Sequence, residues 1–354
     1  MRKKTAGNPK TPRFYTTQTP VVDAQIKKIA AIFSDPQQQK LIAEMMTSAY
    51  RFGQDNASMI DMKIVNNAVK ELRYAFHKFQ PYRHLRKVVV FGSARTPPGR
   101  PSYEAAKRFG RQMARADWMV ITGAASGIMR AGHEGAGRQA SFGVNIRLPF
   151  EQGSNPVIAL DDKLITCKYF FTRKLLFLKE SHATALFAGG FGTLDEGFEC
   201  LTLVQTGKAD PRPIVFVDNP DGKFWKPLIK FFDERLIREG MVSPSDQALY
   251  RVVRSPEEAA EFVTGFYRIY HSMRYVGERL VLRLYSALPA AAVKMLSREF
   301  KDVLLPRGEI VQSEALDEEQ DEAELSDLPR LVLPFDRRTY GRLYQLIYRI
   351  NALG

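Results

Sequence analysis

A glycine-rich turn followed by a carboxylate is the feature of this sequence best suited to chemistry. The turn, Gly-Gly-Phe-Gly-Thr at 189–193, follows an apolar run at 184–187, and Glu196 comes three residues after it. A strand that turns directly into a helix leaves backbone N–H groups free, and the helix dipole favours negative charge there. We therefore predict a phosphate seat in which Glu196, on the first helical turn, faces the sugar of a phosphorylated ligand.

The same residues also have a purely structural interpretation. A Gly-Gly-x-Gly turn can be no more than a tight connection between a strand and a helix. Thr193 and Glu196 are three positions apart, which is the spacing of a capping box. The turn alone does not choose between the two interpretations, so the elements around it have to decide.

Composition limits the classes to which the chain can belong. Its 354 residues, 45% hydrophobic and 26% charged, are enough for one large domain with attachments. The net charge of +13 suits an anionic ligand, and we expect a nucleotide rather than a nucleic acid. Cys167 and Cys200 lie at no metal-ligand spacing, so we expect no metal and a reducing compartment. The absence of an apolar run of about 20 residues predicts a cytoplasmic protein that does not enter the membrane.

Apolar segments alternate with helical patterns between about 86 and 272. Strands that are apolar throughout and separated by helices are typical of a parallel sheet covered on both faces. We predict a doubly wound α/β domain, Rossmann-like, whose ligands bind at the carboxyl ends of the strands. The strands are predicted at 88–91, 118–122, 144–148, 164–167, 184–187 and 213–217 and near 250.

The two flanks of this domain differ from it in character. Residues 1–20 are basic and aperiodic and are predicted to be a flexible tail, and 21–85 are predicted to be a helical extension. Residues 273–354 are predicted to be a small α+β appendage. The acidic segment 309–327 within it contains neither Lys nor Arg and is predicted to be a disordered loop.

Three further segments stand at or near predicted strand carboxyl ends. Gly92 and Ser93 follow the first strand, Gly123 follows the second, and Arg173 begins the helix before the glycine-rich turn. If the ends of these strands share one edge of the sheet, Arg173 provides a fixed cation beside Glu196.

Arg173 and Lys174, the turn at 189–193, Glu196 and Thr202 together resemble the paired signature of the LOG family. That signature is an Arg-Lys pair on a helix followed by Pro-Gly-Gly-x-Gly-Thr-x-x-Glu, and the resemblance covers roughly 88–266. LOG proteins are phosphoribohydrolases, which release the base from nucleoside 5'-monophosphates. Their substrates are cytokinin nucleotides in plants and AMP or related nucleotides in bacteria.

The resemblance implies a role for each matching residue. Arg173 and Glu196 would be catalytic, and the reaction would need no cofactor. A homodimer or higher homo-oligomer is expected. The implied nucleotide contacts, with the strand-end residues added, are Lys174, Gly189, Gly190, Phe191, Gly192, Thr193, Leu194, Asp195, Thr202, Gly92, Ser93 and Gly123.

The chain departs from the family pattern at several positions. Ala188 replaces the usual Pro, and Asp195 stands where Glu is frequent. The family's Gly-Gly-Gly-Pro-Gly loop is Gly-Ala-Ala-Ser-Gly at 123–127, and its Glu and Asn in the next helix are Arg130 and His133. The predicted phosphate seat is intact, whereas the residues expected to recognise the base and the ribose have changed.

Two other functions are consistent with such a domain. A dinucleotide oxidoreductase would need Gly-x-Gly-x-x-Gly after its first strand, but the sequence at 92–95 is Gly-Ser-Ala-Arg. The altered loop at 123–127 leaves room for a non-catalytic nucleotide sensor. Hydrolysis of the N-glycosidic bond is the interpretation we favour.

Overall fold

A computed structural model describes residues 15–149, 153–219 and 221–353. Most of the predicted tail at 1–20 therefore lies outside the described residues. The chain divides into two compact units, with the boundary between Lys70 and Glu71. Within the described ranges, no helix combines the length and apolar character that crossing a bilayer requires.

The first unit is helical, as the apolar spacing predicts. Its helices are α1 (Pro20–Ala30), α2 (Pro36–Gln54) and the first half of α3 (Met59–Phe79). Asp35 caps α2 by accepting a hydrogen bond from the Gln37 N–H at 2.8 Å, and Pro36 occupies the first helical position, where a missing N–H costs nothing.

The second unit is built on a parallel sheet of seven strands among the described residues, in the order β4-β3-β2-β1-β5-β6-β7. Every strand pair in this sheet is parallel, and β1 and β5 are buried along their whole length because helices cover both faces. The predicted doubly wound, Rossmann-like α/β fold is confirmed. The strands are β1 (Lys87–Phe91), β2 (Met119–Thr122), β3 (Ser141–Ile146), β4 (Leu164–Cys167), β5 (Ala183–Phe187), β6 (Ile214–Val217) and β7 (Tyr250–Val253).

Helices and tighter turns connect these strands. The strand order reverses between β1 and β5, and a crevice at the carboxyl ends of these two strands is the place where such folds bind ligands. The helices are α4 (Pro101–Arg115), α5 (Ile128–Ala136), α6 (Phe170–Lys179), α7 (Phe191–Gln205), α8 (Lys226–Phe231) and α9 (Pro256–Gly265), and a π-helical stretch at Phe232–Ile237 extends α8.

The C-terminal part of this unit is an antiparallel sheet of four strands in the described chain, ordered β10-β11-β9-β8. One apolar core runs from this sheet to one face of the parallel sheet, and the last helix contributes heavily to it. The elements are β8 (Tyr270–Val276), β9 (Arg279–Leu284), α10 (Ala290–Glu299), β10 (Val311–Ser313), β11 (Arg330–Leu333) and α11 (Tyr340–Asn351).

The acidic segment 309–327 is ordered, contrary to the prediction of a disordered loop. Part of it forms β10, and Asp317–Leu325 forms consecutive 3-10 turns. Glu319 in these turns is 4% exposed and pairs with Arg283 and Arg330, which are buried on the antiparallel sheet. Composition alone predicted a solvated loop because the cations that neutralise it lie on β8, β9 and β11.

Candidate functional site

Three loops meet at the crevice between β1 and β5. The Ser93 N–H donates to the Ala188 carbonyl at 3.0 Å, and the Ile128 N–H donates to the Ser93 carbonyl at 3.0 Å. Ser126 Oγ donates to the Ala94 carbonyl at 3.0 Å. The segments that follow β1, β2 and β5 are therefore joined, as expected for the carboxyl ends of neighbouring parallel strands.

Close packing explains the glycine at 189. A Cβ on Gly189 would lie 2.2 Å from Thr193 Oγ1 and 3.0 Å from the backbone nitrogen of Ser93. Any side chain there would separate the turn from the loop after β1. Gly127 makes a similar approach, since its Cβ would lie 2.2 Å from the Ser93 carbonyl oxygen, and its φ of +64° also favours glycine.

The start of α7 excludes the capping-box interpretation. Gly190 is the N-cap residue without a side-chain cap, and its carbonyl accepts hydrogen bonds from the N–H groups of Thr193 and Leu194. Helix α7 begins at Phe191, so Thr193 is the third helical residue and cannot be the cap. Glu196 is the sixth, which places it in the second turn rather than in the predicted first turn.

Glu196 is a buried carboxylate held between two cations. It is 5% exposed; its Oε1 lies 3.7 Å from an Arg173 guanidinium nitrogen, and its Oε2 lies 3.8 Å from Lys174 Nζ. Both distances exceed hydrogen-bond length. Burial raises the pKa of Glu196 to about 7, and the charges of Lys174 and Arg173 only partly oppose the increase. The carboxyl group thus changes protonation state near neutral pH.

Lys174 is shared by the acidic residues of α7. Its Nζ lies 2.8 Å from Asp195 Oδ2 and 2.5 Å from Glu199 Oε2, besides its longer contact with Glu196. Burial lowers the pKa of Lys174, but the hydrogen bonds from its ammonium to Asp195 and Glu199, together with the negative charges of Glu196 and Glu199, outweigh burial, so the pKa is raised. Lys174 and Asp195, both predicted nucleotide contacts, are therefore paired with each other. Glu199 completes the cluster, and no motif in the sequence indicated it.

Arg173 is more enclosed than an ordinary surface arginine. Its guanidinium carbon lies 5.1 Å from the ring centre of Phe170 and 5.3 Å from that of Phe177. A Cβ on Gly123 would lie 3.7 Å from one of its terminal nitrogens, so the guanidinium reaches the loop after β2. Its Nε is buried without a hydrogen-bond partner among the described residues. Burial lowers the pKa of Arg173.

Two predicted contacts have side chains directed away from this cluster. Thr202 donates to the Phe198 carbonyl at 2.8 Å and lines a separate cavity of about 180 Å³. Leu194 is half-buried and packs on the apolar core. Phe191 is 92% exposed at the first position of α7. The cavity that Thr202 lines lies between α7 and the segment 232–250, and its lining includes Leu201, Leu236 and Leu249.

The altered loop at 123–127 is held by a buried polar network. The ring of His133 lies 3.0 Å from the Phe142 carbonyl, 3.1 Å from Thr122 Oγ1 and 3.2 Å from Asn155 Nδ2. Asn155 Nδ2 also donates to the Ala124 carbonyl at 3.0 Å. Burial lowers the pKa of His133 to about 4, so the ring is neutral. His133 therefore supports the loop from the protein interior.

Arg130, the other changed residue of α5, is not part of a metal site. Arg130 pairs with Glu134 one turn later, at 2.8 Å. Over the described ranges, no group of three or more His, Cys, Asp or Glu side chains is arranged to hold a metal ion. The three carboxylates of α7 surround the Lys174 ammonium instead.

The parallel-sheet region is similar to a known family model and to two curated proteins. A family model described as "Possible lysine decarboxylase" matches residues 122–263. The Oryza sativa subsp. japonica protein "Probable cytokinin riboside 5'-monophosphate phosphoribohydrolase LOGL2" is 33% identical over 89 residues, which are 25% of this chain and 35% of that protein. LOGL5, a rice protein with the same descriptive name, is 31% identical over 166 residues, 45% of this chain and 64% of that protein. The resemblance to the LOG family is confirmed.

The match to these LOG proteins is partial, since it spans 35% and 64% of their lengths. Solved structures were also compared. A molybdenum cofactor carrier protein from Chlamydomonas reinhardtii aligns with a TM-score of 0.35 at 21% identity, over 51% of this chain and 96% of that one. A molybdenum cofactor binding protein from Rippkaea orientalis aligns with a TM-score of 0.32 at 18% identity, over 50% of this chain and 93% of that one. Likeness at these scores carries no information about the ligand of this chain.

Proposed function

We propose that this protein hydrolyses the N-glycosidic bond of nucleoside 5'-monophosphates, releasing free base and ribose 5-phosphate. AMP or a related nucleotide is the proposed substrate, and cytokinin nucleotides are a further option to be tested. The observation that carries the proposal is the position of Glu196: a buried carboxylate beside two cations, one helical turn beyond a glycine-rich turn at the reversal point of the sheet. The rice relatives named as phosphoribohydrolases support it.

The site suits the charge changes of this reaction. Cleavage passes through a sugar with oxocarbenium character, which a nearby carboxylate stabilises electrostatically. Water adds to the anomeric carbon as the C–N bond breaks, and the base leaves with the bonding electron pair. Glu196 accepts the proton that water releases, and the departing base takes up one proton from protonated Glu196 or from solvent, so the products are free base and ribose 5-phosphate. A general base works best when its pKa is close to the working pH, and the pKa of Glu196 is raised to about 7.

The backbone N–H groups at the start of α7 would hold the 5'-phosphate. Anchoring the phosphate uses binding energy from a non-reacting part of the substrate to place the sugar. Arg173 would contact the ribose or the phosphate, because its guanidinium lies between the loop at 123–127 and Glu196. No cofactor takes part in the proposed reaction.

The setting in which the protein works is also proposed. Exposed apolar side chains lie on α6 and α7, and a second copy of this chain would cover them in a homodimer or higher homo-oligomer; they are Phe170, Phe171, Leu175, Phe191 and Phe198. Cys167 and Cys200 are buried free thiols, which suit a reducing compartment such as the cytoplasm.

A base-release assay tests the function. Purified protein is incubated with purine, pyrimidine and cytokinin monophosphates, and free base and ribose 5-phosphate are measured. We expect release from at least one monophosphate, with Glu196→Ala binding nucleotide but not turning it over. Turnover that survives in Glu196→Ala would exclude the role of Glu196. Binding without turnover in the natural protein would favour the nucleotide sensor.

A further inference from the structure

Glu71 contacts a segment of chain that begins 97 residues later. Its Oε1 accepts a hydrogen bond from the Lys168 backbone N–H at 2.9 Å, and its Oε2 accepts one from Thr172 Oγ1 at 2.6 Å. The Thr172 hydroxyl is fully buried and lies between two acceptors, the Glu71 carboxylate and the Tyr169 carbonyl at 2.9 Å. Both contacts lie at the start of α6, the helix that carries Arg173 and Lys174.

The start of α6 depends on this carboxylate. Tyr169 occupies the N-cap position and makes no side-chain capping bond in the described chain. The first N–H groups of a helix need partners from outside the helix, and a negative charge is favourable there. Glu71 supplies the charge, and it ties down the residue before the cap and the third residue of the helix.

Glu71 itself is held on a rigid element. The second half of α3 is part of the second unit, where Phe79 stacks on Phe142 of β3 with ring centroids 4.2 Å apart. Ala75, one turn after Glu71, is fully buried. Lys179, at the far end of α6, places its ammonium 4.5 Å from the ring centre of Phe76. Helix α6 is thus fastened to α3 near both of its ends.

The position of α6 determines the electrostatics of Glu196. Arg173 directly follows Thr172, and its guanidinium lies 3.7 Å from the Glu196 carboxylate without a close hydrogen bond. A pair held only by its supporting helices changes separation whenever one helix shifts. We propose that Glu71 is a positioning residue, whose carboxylate fixes the start of α6 and thereby keeps Arg173 beside Glu196. This inference rests on the proposed hydrolysis, in which Glu196 is the base.

Kinetics of Glu71 variants test the proposal. Glu71→Ala should lower kcat about tenfold and change KM less than about twofold, because misplacing a catalytic group affects the chemical step most. The acid limb of the pH profile should move upward, since Arg173 would neutralise Glu196 less while Lys174, Asp195 and Glu199 stay in place. Unchanged kcat and an unchanged acid limb would overturn the proposal.

Two further variants separate positioning from general loss of structure. Glu71→Gln keeps the size of the side chain and one hydrogen-bond acceptor, so its kcat should lie between those of Glu71→Ala and the natural protein. If Glu71→Ala does not fold, Glu71→Gln replaces it in the comparison with the natural protein. Asp61→Ala is the matched control, because Asp61 accepts a hydrogen bond from Ser58 at the start of the same helix. It should leave kcat and the acid limb unchanged. An equal effect of Asp61→Ala would overturn the proposal.

Hydrogen exchange keeps this test independent of the proposed function. Amides at 168–174 should exchange about fivefold faster in Glu71→Ala than in the natural protein, because the start of α6 opens more easily without the two hydrogen bonds to Glu71. If the natural protein releases no base from any monophosphate, the proposed hydrolysis fails, and the exchange result still decides whether Glu71 holds α6. Equal exchange in the two proteins would show that Glu71 does not fix the start of α6.

Discussion

Two clusters of arginine, lysine and carboxylate groups in the second unit are built from the same residue types and differ in geometry. In the C-terminal cluster, Glu319 receives hydrogen bonds from Arg283 at 2.6 and 2.9 Å and from Arg330 at 3.2 Å. In the crevice, the nearest cations to Glu196 are at 3.7 and 3.8 Å. Both carboxylates are about 95% buried, so exposure does not explain the difference.

The two carboxyl groups titrate in opposite directions as a result. Burial raises the pKa of Glu319, but hydrogen bonds from Arg283, from the Leu316 N–H and from Arg330, together with the charge of Arg283, outweigh burial, so its pKa is lowered. Burial raises the pKa of Glu196 to about 7, because its cations are too distant to compensate fully. In these two clusters, the carboxylate that receives direct hydrogen bonds from cations has the lowered pKa, and the carboxylate without them has the raised pKa.

Breaking the C-terminal cluster should have the largest effect. Glu319→Ala removes the carboxylate partner of Arg330 and one of the two carboxylate partners of Arg283, and both arginines are at most 2% exposed. We expect a loss of about 4 kcal/mol in the free energy of unfolding, the usual cost of removing one member of a buried ion pair. Urea denaturation followed by fluorescence measures it. A loss below about 1 kcal/mol would show that Glu319 is not essential to the cluster.

Removing the charge of Glu196 should stabilise the protein above neutral pH. Because the folded-state pKa is raised from 4.5 to about 7, the stability this group contributes is present below pH 4.5 and is lost as pH rises to about 7. Glu196→Gln should therefore gain up to about 3 kcal/mol at pH 8. At pH 4 the two proteins should unfold alike. A gain independent of pH would contradict the raised pKa.

Removing Lys174 should move the acid limb of the activity profile. Lys174→Met takes a positive charge away from 3.8 Å beside Glu196, so the pKa of Glu196 should rise by about one unit, equivalent to about 1.4 kcal/mol. The pH dependence of kcat measures the shift. Lys163→Met, which removes an enclosed lysine paired with Asp161, is the control and should leave the limb in place. A limb that stays near pH 7 in Lys174→Met would contradict the electrostatic coupling.

An exposed pair of the C-terminal sheet should contribute least. Arg279 and Glu318 are 2.8 Å apart, with side chains 45% and 57% exposed. Glu318→Ala should cost between about 0.2 and 1 kcal/mol, because water and salt screen exposed pairs. The same denaturation experiment as for Glu319 gives the value. If the two neighbouring variants lost equal stability, burial would not be what separates them.

The sequence predicted the parallel sheet because its signal is local. Each strand is a short apolar run, and helical spacing separates the runs, so class and element order followed without knowledge of contacts. The order of strands in space did not follow. Strands β1 and β5 pair although about ninety residues separate them in the chain. Only the structure shows that the candidate site lies between these two strands, where the strand order reverses.

The sequence motif identified the residues of the candidate site but not how they are arranged in space. The spacing of Thr193 and Glu196 suited both a capping box and a catalytic acid, and only the start of α7 at Phe191 separates the two. Glu71 gave no signal at all, because its partners lie 97 and 101 residues away. The acidic segment 309–327 was predicted to be disordered for the same reason, because the arginines that pair with it lie on other strands.

The seat of α11 has a consequence for how the protein forms. The Tyr344 hydroxyl accepts a hydrogen bond from the Arg212 N–H and donates one to the Arg212 carbonyl, both at 2.9 Å, just before β6. Leu343 and Ile347 fill the core beneath the parallel sheet. A chain emerging from the ribosome therefore lacks the part of this core that α11 supplies until residue 351 has been synthesised, so this face of the sheet can be fully packed only at the end of translation.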